Sequence, residues 1–125
     1  MQDIDFTPRI LEAMAFIQSA YNCEFLSSDI AGFTETESGY PDIDRQFSRA
    51  IDAASVLWGV PKKGGHGPVH AESDASGVPA VFVQSNAMRF AWWSDENVEA
   101  SITMLTHDAD TIRSFTLCMR VRFPR

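Results

Sequence analysis

Residues 112–123, IRSFTLCMRVRF, alternate apolar and polar side chains almost without a break. Phe115, Leu117, Met119, Val121 and Phe123 fall on one side, and Ser114, Thr116, Cys118, Arg120 and Arg122 on the other. A period of two over a dozen residues fits an extended strand, whose successive side chains point to opposite faces, and does not fit a helix. Such a strand needs neighbours for its backbone and a cover for its apolar face. The chain is therefore expected to build an antiparallel sheet with a second layer packed against one side. Pro124 lacks the N–H that a ladder requires and ends the run.

The same period recurs upstream. VPAVFV (78–83) reads as a short apolar strand. MRFAWW (88–93) sets Met88, Phe90 and Trp92 against Arg89, Ala91 and Trp93. VEASITML (98–105) sets Val98, Ala100, Ile102 and Met104 against Glu99, Ser101, Thr103 and Leu105. Polar turns at 84–87, 94–97 and 106–110 separate these runs. Ser94 can alternatively cap a helix carrying Val98, Ile102 and Leu105, but β-branched residues and flanking turns favour a strand.

The first half of the chain has helical spacing instead. Thr7 suits an N-cap with Pro8 at the first helical position. Ile10, Met14, Ile17 and Tyr21 then recur along one face, and Phe6 and Leu11 are placed to form a hydrophobic staple. This predicts a helix over 8–22. A second helix is predicted over 41–58, with Ile43, Phe47, Ala50, Ile51, Ala54 and Leu57 on its apolar face. Asp42 and Asp44 lie in its first turn, and Gly59 and Pro61 just past its end. Residues 23–40 leave room for a short hairpin.

The expected fold class is α+β: two N-terminal amphipathic helices packed on one face of a four-stranded antiparallel meander. A chain of 125 residues fits one domain. Residues 1–60 are read as mainly helical, 61–77 as a loop and 78–125 as the sheet.

Charge divides along the same line. Residues 1–60 carry ten acids and three bases, a net charge of −7, whereas residues 61–125 carry seven of each. An acidic half disfavours a nucleic-acid backbone and favours a basic partner surface. No apolar run is long enough to span a membrane, and the first ten residues lack the features of a secretory signal. These features predict a cytoplasmic protein, with Cys23 and Cys118 as free thiols.

Candidate chemistry is sparse. The stretch 59–79, GVPKKGGHGPVHAESDASGVP, holds two of the three histidines and five of the seven glycines. If it is extended, His66, His70 and Glu72 share a face and make a weak candidate metal set. Lys62 and Lys63 with neighbouring glycines suggest an anion cradle, but the phosphate-loop and dinucleotide patterns are absent. No nucleophile-elbow or Cys-x-x-Cys motif occurs, and no cofactor is implied. Trp58, Phe90, Trp92, Met104 and His107 are candidates to line a small-molecule pocket between the helices and a curved sheet, with residues 60–77 as its lid. Arg89, Trp93, Arg120 and Arg122 are candidates for a surface that binds a protein partner. The leading expectation is a non-enzymatic interaction, inhibitor or accessory module. Its partner is another protein or a second copy of itself, the basic strand of one copy meeting the acidic helices of another. The alternative is a small-molecule-binding domain or enzyme.

Overall fold

A computed structural model describes residues 2–19, 25–35, 39–65, 76–83, 87–96, 98–107 and 112–120. The fold is α+β, with two helices and a five-stranded antiparallel sheet. In chain order the elements are α1 (Phe6–Ser19), β1 (Phe25–Thr34), α2 (Tyr40–Trp58), β2 (Lys63–Gly64), a 3-10 turn (Ala80–Phe82), β3 (Ala87–Ser94), β4 (Glu99–His107) and β5 (Ile112–Arg120). The sheet order is β1-β5-β4-β3-β2.

Helix α1 begins two residues earlier than its Thr7-Pro8 signal suggests. Asp5 Oδ1 accepts from Thr7 N–H at 3.2 Å, so the carboxylate caps the first turn. Phe6 thereby enters the helix and is buried with Ile10, Ala13 and Ile17, while Leu11 faces outward and forms no staple. Helix α2 matches its expected span closely. The carbonyl of Gly39 accepts from Asp42 and Ile43 N–H, and Gly59 ends the helix at φ +83°, a value that favours glycine. Ile43, Phe47, Ala50, Ile51 and Ala54 form its buried stripe, whereas Leu57 is exposed. Gln46 is buried too. Its amide accepts from Ile4 N–H and donates to the Gln2 carbonyl, tying the N-terminal arm across α2.

The sheet corrects the expected meander in three places, one of them β2, which lies in the 61–77 stretch expected to be a loop. Residues 78–83 do not form a strand. Pro79 removes a ladder donor, and its carbonyl instead accepts from Phe82 N–H, closing a 3-10 turn. The missing strand is replaced from elsewhere in the chain. β1 pairs along almost all of β5, from Phe25↔Arg120 to Thr34↔Ile112, with a bulge between Asp29 and Ala31. The segment after α1 is thus a ten-residue edge strand rather than a local hairpin. The ambiguous 98–105 stretch is a strand, pairing with β3 on one side and β5 on the other.

Both faces of this sheet are covered. The helices pack on the face formed by Ala91, Trp93, Ile102, Met104, Phe115 and Leu117. Phe115 is the centre of that layer, with the rings of Phe6, Phe33 and Phe47 at 5.9, 5.1 and 5.0 Å. On the opposite face Phe90, Trp92 and Cys118 pack with Phe82, flanked by Val78 and Val83. The short apolar run that reads as a strand is therefore a plug over the second face.

Candidate functional site

Helix α1 lies along the edge strand β1, and an open groove of about 410 Å³ runs between them. Its walls are Arg9, Glu12, Ala13 and Phe16 of α1 and residues 28–30 of β1. The helix period explains this arrangement. Phe6, Ile10, Ala13 and Ile17 point into the core, so positions 9, 12 and 16 fall on the flank of that stripe. Phe16 is 60% exposed, so its ring is open to solvent on this flank. On the strand side, Ile30 sits at the bulge. Its carbonyl accepts from Arg9 Nη1 at 3.0 Å, which closes the strand edge at that point. Asp29 Oδ1 accepts from Thr116 Oγ1 at 2.8 Å, which holds that carboxylate on the sheet face turned away from the helices, so Glu12 is the carboxylate on the helix wall of the groove. The groove sets the exposed Phe16 ring beside the Glu12 carboxylate, a pairing suited to a side chain with an aliphatic stem and a cationic head.

A second polar cluster lies under the first turns of α2. Arg89 on β3 points to the helix side and is buried. Its Nη1 donates to Asp44 Oδ1 at 2.6 Å and to Ser48 Oγ at 3.3 Å, and its Nη2 donates to the Gly65 carbonyl at 2.9 Å. The guanidinium also lies 4.9 Å from the centre of the Phe47 ring. Arg113 on β5 is buried on the same face and pairs with Glu35 at 3.0 Å and Thr106 Oγ1 at 2.9 Å. Tyr40 stands above this cluster. Partial burial, with Asp44 and Glu35 nearby, raises its hydroxyl pKa above the usual 10, against the pull of Arg89 and Arg113. Through their Nη groups the arginines clasp α2, the residue after β2 and Glu35 onto the sheet.

The residues singled out in the sequence are distributed over both sheet faces. Among the candidate pocket residues, Met104 is in the helix-side core and Trp58 packs edge-on against Trp93 at 5.3 Å. Phe90 and Trp92 face the other way, beneath Phe82. His107 is exposed at the end of β4, with Nε2 2.8 Å from Ser114 Oγ. These five side chains do not converge on one cavity. Among the candidate surface residues, Arg89 is buried as described. Trp93 is only 2% exposed and donates its indole N–H to the Gly59 carbonyl at 2.8 Å. Arg120 is partly exposed and lies 2.9 Å from the buried carboxylate of Glu99, at ion-pair distance though off the hydrogen-bond direction. The faces of Trp92 and Trp93 are thus the reverse of the expectation: the second indole joins the helix-side core. Arg122, His66, His70 and Glu72 lie outside the described residues, as does most of the 60–77 stretch. Among the described residues, no group of three or more His, Cys, Asp or Glu side chains is placed to hold a metal ion. Also among them, no helix is long and apolar enough to cross a membrane.

The α1–β1 groove was not foreseen in the sequence. The local signal was present in Phe16, an aromatic residue one position off the helix's buried stripe. Its other wall depends on β1 reaching β5, which no local pattern shows. No family model, curated protein or solved structure matches this chain.

Proposed function

We propose that this protein is a non-enzymatic interaction module that binds a basic, partly apolar segment of another protein in the groove between α1 and β1. The observation that carries this reading is the exposed Phe16 ring beside the carboxylate of Glu12 in an open groove. The charge of the surrounding layer supports it. Both helices and β1 come from residues 1–60, which hold the whole net charge of −7. A positively charged segment is drawn to such a layer, and an aliphatic stem then has the exposed Phe16 ring to pack on.

The test is a titration of the isotope-labelled protein with a capped hexapeptide of alternating arginine and leucine, followed by NMR. Saturable shifts confined to residues 9–16 and 28–30, lost in Glu12→Lys and in Phe16→Ser, are expected. Shifts scattered over the surface, or unchanged by either substitution, would overturn the reading. Self-association is a rival use of the same charge split. Sedimentation at low salt separates the two, because a homodimer held by Arg120 against acidic helices changes mass with concentration in the absence of peptide.

A further inference from the structure

β1 is an edge strand. β5 takes one side of its backbone from Phe25 to Thr34, and among the described residues no strand lies along the other side. The groove beside α1 runs against that second side. Its strand wall is Ser28, Asp29 and Ile30, three consecutive residues. Side chains of consecutive strand residues point to opposite faces, and Asp29 is turned away from the helices toward Thr116. Three in a row line one groove only where the groove meets the backbone itself. The carbonyl of Ile30 bears this out, since it accepts from the α1 side chain of Arg9 at 3.0 Å. Strand edges are commonly kept from pairing by proline, lysine or a bulge. On β1 the bulge and the Arg9 contact both fall at residues 29–31. The stretch Leu26–Asp29 before them holds no proline and no cation, and it pairs with β5 in unbroken register.

We propose that the basic segment bound in this groove enters as an added strand. Its backbone pairs with the outer edge of β1 over Leu26–Asp29 and stops at Ile30, where Arg9 already holds the carbonyl. The inference rests on the groove reading and adds the mode of recognition to it. In strand addition the main chain supplies affinity and alternate side chains supply selectivity. One set of the segment's side chains then lies on the α1 side, toward Phe16 and Glu12, and the other lies on the far face beside the exposed carboxylate of Asp29. Cations are thus matched on both faces of the added strand. A second copy of this chain does not suit the edge, because it brings the same acidic layer against this one.

The probe is the capped arginine–leucine hexapeptide, added to the full-length isotope-labelled protein. Overhauser contacts between backbone protons of the peptide and those of residues 26–29 are expected, with slowed hydrogen exchange at alternate amides of that stretch. A second peptide of the same sequence, methylated on every backbone nitrogen, has no N–H to offer β1. It is expected to bind at least tenfold more weakly. Binding of the first peptide without those backbone contacts, or equal binding of the two, overturns strand addition and leaves the groove reading intact. No binding of the unmethylated peptide overturns the groove reading itself, and strand addition falls with it. If the protein alone gains mass with concentration while exchange at residues 26–29 slows, the edge belongs to a second copy, and the proposal is overturned.

Discussion

Arg89 shows how one residue can look like a binding element in the sequence and act as a clasp in the fold. Its alternation with Phe90 places it on one face of β3, but the pattern alone does not say which face the helices cover. In the structure its side chain is 7% exposed, and Asp44 answers its charge from α2. Removing one partner of a buried pair leaves the other uncompensated. Because the Asp44 side chain is 40% exposed and Arg89 keeps the Gly65 carbonyl, the penalty is smaller than for a fully buried pair. Asp44→Ala is expected to cost about 2 kcal/mol in urea unfolding; a loss under about 0.5 kcal/mol would mean that the carbonyls alone hold Arg89. Tyr40 gives a second prediction in the same cluster. Its folded pKa is raised, so below pH 10 the tyrosine is protonated in both folded and unfolded chains and does not affect the balance. Above pH 10 the unfolded chain ionises first, and stability falls until pH passes the folded pKa. Tyr40→Phe should remove that part of the alkaline loss. Identical pH–stability curves for the two proteins above pH 10 would show that the environment of Tyr40 has no energetic consequence.

Elements were legible to different depths. Helix α2 follows from periodicity because it buries one face, and strands β3, β4 and β5 follow because their two faces differ in chemistry, one more apolar than the other, although both are buried. The strand assigned to 78–83 was misread because a short apolar run bears the same mark whether it joins a ladder or plugs a face. Pro79 was the local sign against a ladder. β1 was only half legible. The weak alternation in this region lies in FTETES (33–38), which overlaps only the end of β1, and the partner of FLSSDIAGFT is β5 at the far end of the chain, so the pairing that makes it a strand is absent from any local window. The groove was hidden for a related reason: α1 and β1 are neighbours in sequence, but β1 becomes a wall only through its pairing with β5. β2 carries an element-scale prediction. This two-residue strand covers part of the open edge of β3, with Lys62 N–H on the Trp92 carbonyl and Gly65 N–H on the Phe90 carbonyl. Between them Gly64 has φ +76°, and a Cβ there would lie 2.2 Å from the Phe90 carbonyl oxygen. That contact is with backbone and cannot be relieved by a rotamer. Gly64→Ala should therefore detach β2 and cost at least about 2 kcal/mol. Hydrogen exchange checks the location of the damage: faster exchange at Lys62 and Gly65, with β4 unchanged, is expected. A stability within about 0.5 kcal/mol of the parent would show that β2 contributes little to the fold.

At the scale of the molecule, the sheet separates two unlike surfaces. On one side the helices and the β1 edge carry the excess negative charge, and on the other residues 78–83 cover a buried aromatic cluster. A field from many like charges acts before contact, whereas the Phe16 ring acts only after it. These two contributions separate kinetically. Association of the arginine–leucine hexapeptide, followed by stopped-flow, should slow by about tenfold between 0.01 and 0.15 M ionic strength, as the screening length contracts from about 30 to 8 Å. Phe16→Ser should leave that salt dependence in place and raise the dissociation rate. Glu12→Lys should lower the association rate at low salt, and only part of its salt dependence should vanish, because most of the acidic residues lie elsewhere in the layer. If the variant abolishes the salt dependence entirely, the attraction belongs to the groove carboxylate and the wider charge of residues 1–60 has no part in capture. If instead the rate is flat with salt in the parent protein, recognition at the groove is apolar, and the negative layer serves only to keep copies of this chain apart.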